Sequence, residues 1–540
     1  MESRIPWIKH PSVSAYLGNQ TKGRDEDLRT PYFDKADRTA IKDEFTDWYS
    51  SREHLLDVSI ADLERKEIPR IEASFSRKKP WKERKTDLAR YYGPKHMSAN
   101  SGQLDEAFEC VRDHFRKNLK KYQLRPLSAE TSFKMMKKST NWGLRPEDQA
   151  DQFLGGTKDK HQYLDDYINY SMSELMSIPA VLGWRGQPKL DGTTGNRVVF
   201  MMPHSISIEE NRYFQPFLKM VQDSNASLGL FSALGPSEDV SFSVRSAIER
   251  TLIRKGQILS FDASKYDTSI HRDLIRYAYE IILDQFHLGD KFHPTVKRLV
   301  NIMCNTHMLT PDGIWLGRKH SVASGSIFTN IVDSIVQMIG RIYVDICLTG
   351  QSGRNALVFD QYQGDDGMHT YRFKVDINEY VDCWATLGIT VNADKMAEFR
   401  VGENSQVFGH VDYLQKRYYV DTTGVVSEGV RSLARTLSGY ISMERWHHDW
   451  NSYDYLSRSI MQLEEAKDHP LFKDFISWLV DFDELGLGIH EEGALSKAFG
   501  NPDRVLRNVN RIGFEFGKAH PKAWRRFRTI QVLEELGAIV

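Results

Sequence analysis

Cysteine is scarce in this sequence: four of the 540 residues are Cys, at positions 110, 304, 347 and 383, far apart and with no Cys-x-x-Cys pair. That argues against both a disulfide framework and a zinc ribbon, and a reducing, intracellular setting is expected. Long apolar runs are missing as well. No stretch reaches the roughly 18 residues that a membrane helix needs, so no membrane span is expected. Met1-Glu2-Ser3-Arg4-Ile5-Pro6-Trp7 lacks the apolar centre of a secretory signal. The phosphate-loop pattern Gly-x4-Gly-Lys-Ser/Thr is absent, Gly155-Gly156-Thr157-Lys158 included, which disfavours an ATPase of that kind. There is no internal repeat and no low-complexity tract. A surplus of one charge is lacking too. The formal net charge is −1, which over the whole chain argues against a nucleic-acid partner. The distribution is uneven, however. Arg77-Lys78-Lys79-Pro80-Trp81-Lys82-Glu83-Arg84-Lys85 holds six bases and one acid, and Arg112, Arg116, Lys117, Lys120 and Lys121 follow on an expected helix. A near-neutral chain with such clusters is able to present a basic channel.

What is present is an ordinary globular composition, 40% hydrophobic and 27% charged, in a chain long enough for about two or three subdomains. Residues 1 to 65 read as an extended arm leading into a helix near 38 to 56, and charged helical patterns dominate from 64 to 125. Two basic loops follow, Lys137-Lys138-Ser139-Thr140-Asn141-Trp142-Gly143-Leu144-Arg145-Pro146 and Gly155-Gly156-Thr157-Lys158. A helix is expected over 161 to 176. Next comes a hairpin, residues 189 to 203, whose strands carry Lys189 and Arg197. Gln257-Ile258-Leu259-Ser260-Phe261-Asp262 reads as a short apolar strand ending in an acid, with helix from 274 onward. Further helices are expected over 329 to 348 and over 378 to 387, ending at Gly388. A strand pair is expected over 408 to 420. From 432 the pattern is helical, broken at Gly486-Leu487-Gly488 and Asn501-Pro502.

Three segments carry chemistry. Tyr362-Gln363-Gly364-Asp365-Asp366-Gly367 lies between two β-prone runs, Ala356-Leu357-Val358-Phe359 and Met368-His369-Thr370-Tyr371-Arg372-Phe373, and reads as a hairpin whose turn exposes two adjacent carboxylates. Such carboxylates repel each other, so a turn that concentrates them usually has a cation to hold. Asp262-Ala263-Ser264-Lys265-Tyr266-Asp267 begins at a strand end. A carboxylate there, beside a second acidic turn, is suited to share two divalent ions, the arrangement that in-line nucleotidyl transfer requires. Between the two stands Ser324-Gly325-Ser326-Ile327-Phe328-Thr329, a loop of small residues and hydroxyls entering a helix.

In that order and spacing the three segments resemble motifs A, B and C of a viral RNA-dependent RNA polymerase. Residues 137 to 146 resemble the template-entry loop, motif G, and Lys189 to Arg197 the basic hairpin, motif F. Lys395 resembles the motif D lysine, and Phe408-Gly409-His410-Val411-Asp412-Tyr413-Leu414-Gln415 the primer-grip hairpin, motif E. The Ser-Gly-Ser-x-Phe-Thr form of motif B is most similar to replicases of small segmented double-stranded RNA viruses, of the picobirnavirus and partitivirus kind.

The resemblance implies an α+β right-hand polymerase: an N-terminal arm at 1–65, fingers at 66–219, palm at 220–301, a return to the fingers at 302–321, palm again at 322–410, and thumb with C-terminal tail at 411–540. It implies that Asp262 and Asp365 hold the catalytic metals, Mg²⁺ or in its place Mn²⁺, with Asp366 as a weaker or outer ligand. Asp267, Ser324, Gly325 and Thr329 would serve the incoming nucleotide, and Arg197 and Lys189 its phosphates. Lys395 would protonate the pyrophosphate, while Gly143, Pro146 and Tyr413 would contact template and primer RNA. Many relatives carry Asn nine residues after the motif B serine. Here Asp333 stands at that position, one turn beyond Thr329 and on the same helix face, so it is expected to take part in ribose selection. Expected partners are template and product RNA, NTPs and a viral capsid protein, with no membrane. The setting would be the host cytoplasm, inside the viral particle. A reverse transcriptase and a non-catalytic RNA-binding virion protein are the alternatives. The tail from Trp524 is expected either to reach the product channel or to pack as a thumb helix. His447-His448-Asp449 is expected to be surface or packing.

Overall fold

The computed structural model describes residues 10–33, 35–119, 123–136, 141–146, 160–228, 237–351, 357, 359–443, 450–483, 489, 492–500 and 523–539. Lys120, Lys121, residues 137–140, 155–158, 356, 358, 447–449, 486–488 and 501–502, on which sequence expectations fell, lie outside them.

Two sheets organise the chain. β1 (Ala180–Pro188) and β2 (Thr194–Met201) form an antiparallel hairpin, which β4 (Met308–Thr310) extends in parallel with β1, and β5 (Gly313–Trp315) in turn. The second sheet has the order β6-β7-β3-β8-β9 and is antiparallel throughout. Its strands are β3 (Gln257–Phe261), β6 (Gln361–Gln363), β7 (Asp366–Tyr371), β8 (Glu398–Val401) and β9 (Val407–Gly409). Every residue of β3 is buried, as a strand covered on both faces must be. Alternation divides its side chains. Leu259 and Phe261 enter the main core, with helices Arg272–Leu283, Thr329–Thr349 and Ile377–Thr386. Ile258 enters a smaller one, with Val244 and Ile248 of helix Ser237–Arg254 and with Val411, Tyr413 and Tyr418 of the separate hairpin β10 (Val411–Tyr413) and β11 (Lys416–Tyr418). The expected strand pair is thus this shorter hairpin, and Phe408 belongs to the edge of the central sheet.

Helix Thr329–Thr349 is buried almost all round, the pattern of a helix inside a large core. Its packing is close: a Cβ at Gly340 would come within 2.2 Å of the Trp384 ring.

Among the described residues up to 65 the chain is not an extended arm, though the expected helix near 38 to 56 is present as Arg38–Ser50. These residues are largely helical, with segments Pro11–Lys22, Arg38–Ser50 and Val58–Glu67, and they cross the molecule. Val13 and Leu17 join the main core, and the Tyr16 hydroxyl donates to the Leu182 carbonyl of β1 at 2.8 Å. Farther on, Phe33, Ile41, Phe45 and Trp48 pack with Leu437, Phe475 and Leu479 in the C-terminal helical core. Arg38 fastens the crossing, bonding Asp27 at 2.5 and 2.7 Å and the Ser442 hydroxyl at 2.7 Å. The reason sequence missed this is that these apolar stripes find their partners far away in sequence, 166 residues on for Tyr16 with Leu182 and in the C-terminal helices for Phe33 to Trp48. The tail takes the second of its two expected forms: Ile530, Val532 and Leu533 of helix Arg528–Glu535 are buried in the same core.

Candidate active site

Register brings the acidic segments together. Phe261 of β3 pairs with Gly367 of β7, so one step beyond the pairing Asp262 leaves the sheet beside Asp366. β6 and β7 close through Gln363 and Asp366, leaving Gly364-Asp365 as a two-residue turn in which Gly364 alone has positive φ, +66°. That is the pattern of a type II′ turn, which favours glycine at its first central position. Asp365 is therefore in the turn and exposed, while Asp366 begins a strand and is half-buried.

One stripe of helix Thr329–Thr349 grips the hairpin. Gln363 donates to Asn330 Oδ1 at 2.8 Å, the Gly364 amide donates to Ser334 Oγ at 2.8 Å, and a Cβ at Gly367 would sit 2.5 Å from the Gln337 side chain. Beneath, buried Asp360 accepts from the Thr370 amide and hydroxyl, both at 2.7 Å, and pairs with buried Arg341 at 3.0 Å. On the other side, Asn392 donates its side-chain amide to Asp262 Oδ1 at 2.6 Å and its backbone amide to the Asp262 carbonyl at 2.9 Å.

The carboxylates repel one another. Although Asp365 reaches solvent at the turn, desolvation by the protein packed around it, then Asp267, raise its pKa, with Asp262 adding and Arg197 opposing. Burial, then Asp365, push Asp366 up to about 7, against Arg435. Burial, then Asp267 and Asp365, carry Asp333 well above the carboxylate range, and its Oδ1 is buried with no hydrogen-bond partner among the described residues. Among those residues no three His, Cys, Asp or Glu side chains form a ready-made metal cage. Magnesium sites at phosphoryl-transfer centres are completed by substrate phosphate and water around one or two carboxylates, so the donor set fits such an ion.

A recess of about 240 Å³ opens in front of Asp365, lined also by Asp267, Arg197, Lys265, Arg90 and Gln187. Arg197 projects into it from β2 and pairs with Asp267 at 2.5 Å. Burial works against the Arg197 charge, but Asp267 and then Asp365 outweigh it and raise its pKa. Lys265 holds a left-handed backbone, φ +55°, at the bend between the two motif A acids. The Tyr266 hydroxyl below it donates to the Asp333 carbonyl at 3.1 Å. The recess thus sets three basic side chains, Arg90, Arg197 and Lys265, among three acidic ones, Asp87, Asp267 and Asp365.

Residues 185–477, more than half of the chain, match the family described as viral RNA-dependent RNA polymerase. The chain belongs to that family. A potential RNA-dependent RNA polymerase of a human picobirnavirus is 25% identical over 518 residues, 92% of this chain and 90% of that protein. The RNA-directed RNA polymerase of Cryptosporidium parvum virus 1 is 24% identical over 310 residues, 55% of this chain and 56% of that protein. The fold is similar to the crystal structure of a human picobirnavirus RNA-dependent RNA polymerase, with TM-score 0.74, 21% identity and 99% of both chains covered. An insertion-loop deletion mutant of such a polymerase gives TM-score 0.72 at 21% identity and the same coverage. This chain is accordingly an RNA-dependent RNA polymerase of the α+β right-hand type, an enzyme that binds RNA and nucleoside triphosphates and whose family uses divalent metal ions. No helix among the described residues is long and apolar enough to cross a membrane.

For the polymerase, several expected contacts become structural ones. Gly143 has φ +67°, and a Cβ there would come within 2.5 Å of the Met202 carbonyl. It and Pro146 are buried and serve packing rather than template. Tyr413, 1% exposed, is a core residue under the sheet rather than a primer contact. Lys189 is exposed just past the end of β1, outside the recess, so only Arg197 lies on a strand. Gly325 is required by the β2 backbone: a Cβ would lie 1.9 Å from the Phe200 carbonyl oxygen. The Thr329 hydroxyl bonds the carbonyls of Ala323 and Ser326 at 2.8 and 2.9 Å, closing its own loop. Ser324 Oγ has no protein partner among the described residues. Lys395 is exposed, its amide donating to the Asn392 carbonyl at 3.0 Å.

The basic clusters shrink as well. Arg84 is buried on the Trp184 ring and bonds Gln20, and Arg112 and Arg116 pair with Asp284. Trp142 and Trp184 are core residues. Missed at the site were Arg90, Lys265, Gln187 and Asn392. Lys265 alone had a signal, its place between the motif A acids.

Proposed function

We propose that this polymerase extends RNA by two-metal nucleotidyl transfer, with Asp262 and Asp365 as metal ligands and Asp366 as the outer one. The observation that carries this is the convergence of β3 and the Gly364-Asp365 turn at one edge of a sheet, with the pKa values of Asp365 and Asp366 raised there by burial first and by neighbouring carboxylates second. Bound Mg²⁺, or Mn²⁺ in its place, would neutralise the repelling carboxylates and supply Lewis-acid activation of the 3′-hydroxyl and of the leaving phosphate. Arg197, with Lys265 and Arg90, neutralises the triphosphate in the recess. Binding a nucleotide requires Arg197 to exchange Asp267 for phosphate, which releases the Asp267 carboxylate for the ribose hydroxyls. Ser324 offers its hydroxyl to the same sugar. Asp333, carrying a proton, donates to a ribose hydroxyl without adding charge beside Asp267. Lys395 protonates the departing pyrophosphate. Residues 66–219 with 302–321 act as fingers, 220–301 with 322–410 as palm, and 411–540 as thumb, joined by the N-terminal segment. Template and product RNA pass between these parts, and the reaction proceeds inside the particle, beside capsid protein.

Incorporation of labelled NTP on an RNA template, titrated with Mg²⁺, tests the core of this reading. Asp365→Ala and Asp262→Ala are each expected to abolish the metal-dependent signal while binding RNA as the parent does. Retention of incorporation by either variant would overturn the assignment.

A further inference from the structure

The loop that carries Ser324 is attached to the fingers at three points. The Phe200 amide of β2 donates to the Ser324 carbonyl at 2.8 Å, and the Phe200 carbonyl fills the space beside Gly325. The third point is Glu210, on helix His204–Leu228, which accepts the Ser326 hydroxyl at 2.6 Å. Ser326 Oγ in turn accepts from the Phe328 amide at 3.1 Å, at the start of helix Thr329–Thr349. With one side of the oxygen engaged by that amide, the hydroxyl proton is directed at the carboxyl, so the serine is fixed from both sides.

Glu210 is a costly way to make this bond. It is 0% exposed, and its second oxygen has no hydrogen-bond partner among the described residues. Glu209 stands beside it in sequence and is also 0% exposed. Burial, reinforced by Glu209, pushes the Glu210 carboxyl up to about 7 against the Ser326 hydroxyl and the Ile327 amide. A packing role alone would be met better by an apolar side chain of similar size. The link also has a consistent geometry: β2, which anchors Ser324 through Phe200, carries Arg197 three residues earlier. The phosphate contact and the ribose loop are thus referred to the same strand, and Glu210 ties the loop to the helix that follows that strand.

We propose that Glu210 is a positioning residue for nucleotide selection, holding the Ser324 loop through Ser326 so that the Ser324 hydroxyl meets the incoming ribose. This rests on the nucleotide-binding reading of that loop. It predicts that Glu210 and Ser326 act as one unit and that their loss is felt in substrate binding and sugar discrimination.

The test uses the full chain on a primed RNA template, measuring KM and kcat for one correct rNTP and for the matching dNTP in Ser324→Ala, Ser326→Ala, Glu210→Ala, Glu210→Gln and the Ser326→Ala/Glu210→Ala double variant. Ser326→Ala and Glu210→Ala should each raise KM for the rNTP and lower the rNTP-over-dNTP ratio by about five- to tenfold, with the double variant no worse than the worse single. Glu210→Gln, which keeps an acceptor, should stay within about threefold of the parent. Effects confined to kcat or to the active fraction, with KM and sugar ratio unchanged, would overturn the proposal, as would multiplicative effects in the double variant. Should Glu210→Ala fail to fold, Ser326→Ala alone decides by the same two readouts. If Ser324→Ala itself leaves KM and sugar ratio unchanged, it is the nucleotide-binding reading of the loop that fails. If Ser324→Ala shifts both and Ser326→Ala shifts neither, the reading stands and the Glu210 proposal falls.

Discussion

Acids in two regions of this molecule meet opposite surroundings. Where the N-terminal segment joins the C-terminal helical core, Glu64 is 0% exposed and saturated. It accepts from the Leu433 amide at 2.6 Å, the Ala434 amide at 3.1 Å and the Ser432 hydroxyl at 3.0 Å, with His469 Nε2 at 3.2 Å. It caps helix Leu433–Ile441 from 369 residues away in sequence, supplying at the helix N-terminus the negative charge that the dipole favours. At the acidic edge of the central sheet, Asp333 is buried with an oxygen that nothing in the described protein satisfies, Asp365 feels the charges of Asp267 and Asp262, and Asp366 that of Asp365. An acid whose donors come from the fold holds the fold together. An acid left short of donors is held in place by the rest of the structure.

Variants sharpen that contrast. The largest effect is expected at the turn: Asp365→Ala should lower Mg²⁺-dependent incorporation by about a thousandfold or more, while thermal melting without metal stays level or rises because a repelling charge is gone. A drop in melting temperature of several degrees would mean that Asp365 belongs with the saturated acids. Glu64→Ala should do the reverse. Loss of a buried multi-donor carboxylate costs about 2–4 kcal/mol, read as an earlier denaturation midpoint, with kcat per folded molecule unchanged.

Asp333→Asn should shift the rNTP-over-dNTP preference by about tenfold and leave the fold at least as stable; an unchanged preference and rate would remove Asp333 from sugar selection. The smallest effect is a pH dependence. Glu210 titrates near 7 when folded and near 4.3 when unfolded, so the folded chain binds the extra proton between those values. Its contribution to stability therefore falls as pH rises from about 4.5 to 7. Replacing it by Gln should flatten that part of the melting-temperature profile, and identical slopes in parent and Glu210→Gln would contradict the assigned shift.

The convergence of the acidic segments was legible in the sequence because its logic is local. A short apolar strand ending at Asp262, a two-residue turn led by Gly364 and a long apolar helix from Thr329 each announce themselves within about a dozen residues, and antiparallel register does the rest. Misreadings arose where a residue's role depends on what packs against it from afar. Gly143 and Tyr413 look like exposed motif residues until Met202 and the underside of the central sheet cover them. Arg84 of the basic run at 77–85 looks like an RNA contact until Trp184 and Gln20 take it up. Glu210 carried no signal at all, being one of two adjacent acids in a helix with nothing in its neighbourhood of sequence to mark it as the partner of Ser326.

The grip on the catalytic hairpin has a mechanical meaning. Asn330, Ser334 and Gln337 recur at helical spacing and touch Gln363, Gly364 and Gly367 in turn, so turn and helix form one stiff block. Asp365 cannot shift without carrying 21 residues of buried helix with it. Asp262 is held more lightly, at a strand end, by the side chain and backbone of Asn392. If Asp262 and Asp365 close on a metal as proposed, the Asp365 side is the anvil. Travel in such a cycle would then fall to the other side, along the line from Asp262 through Asn392 to the short turn that ends at Lys395.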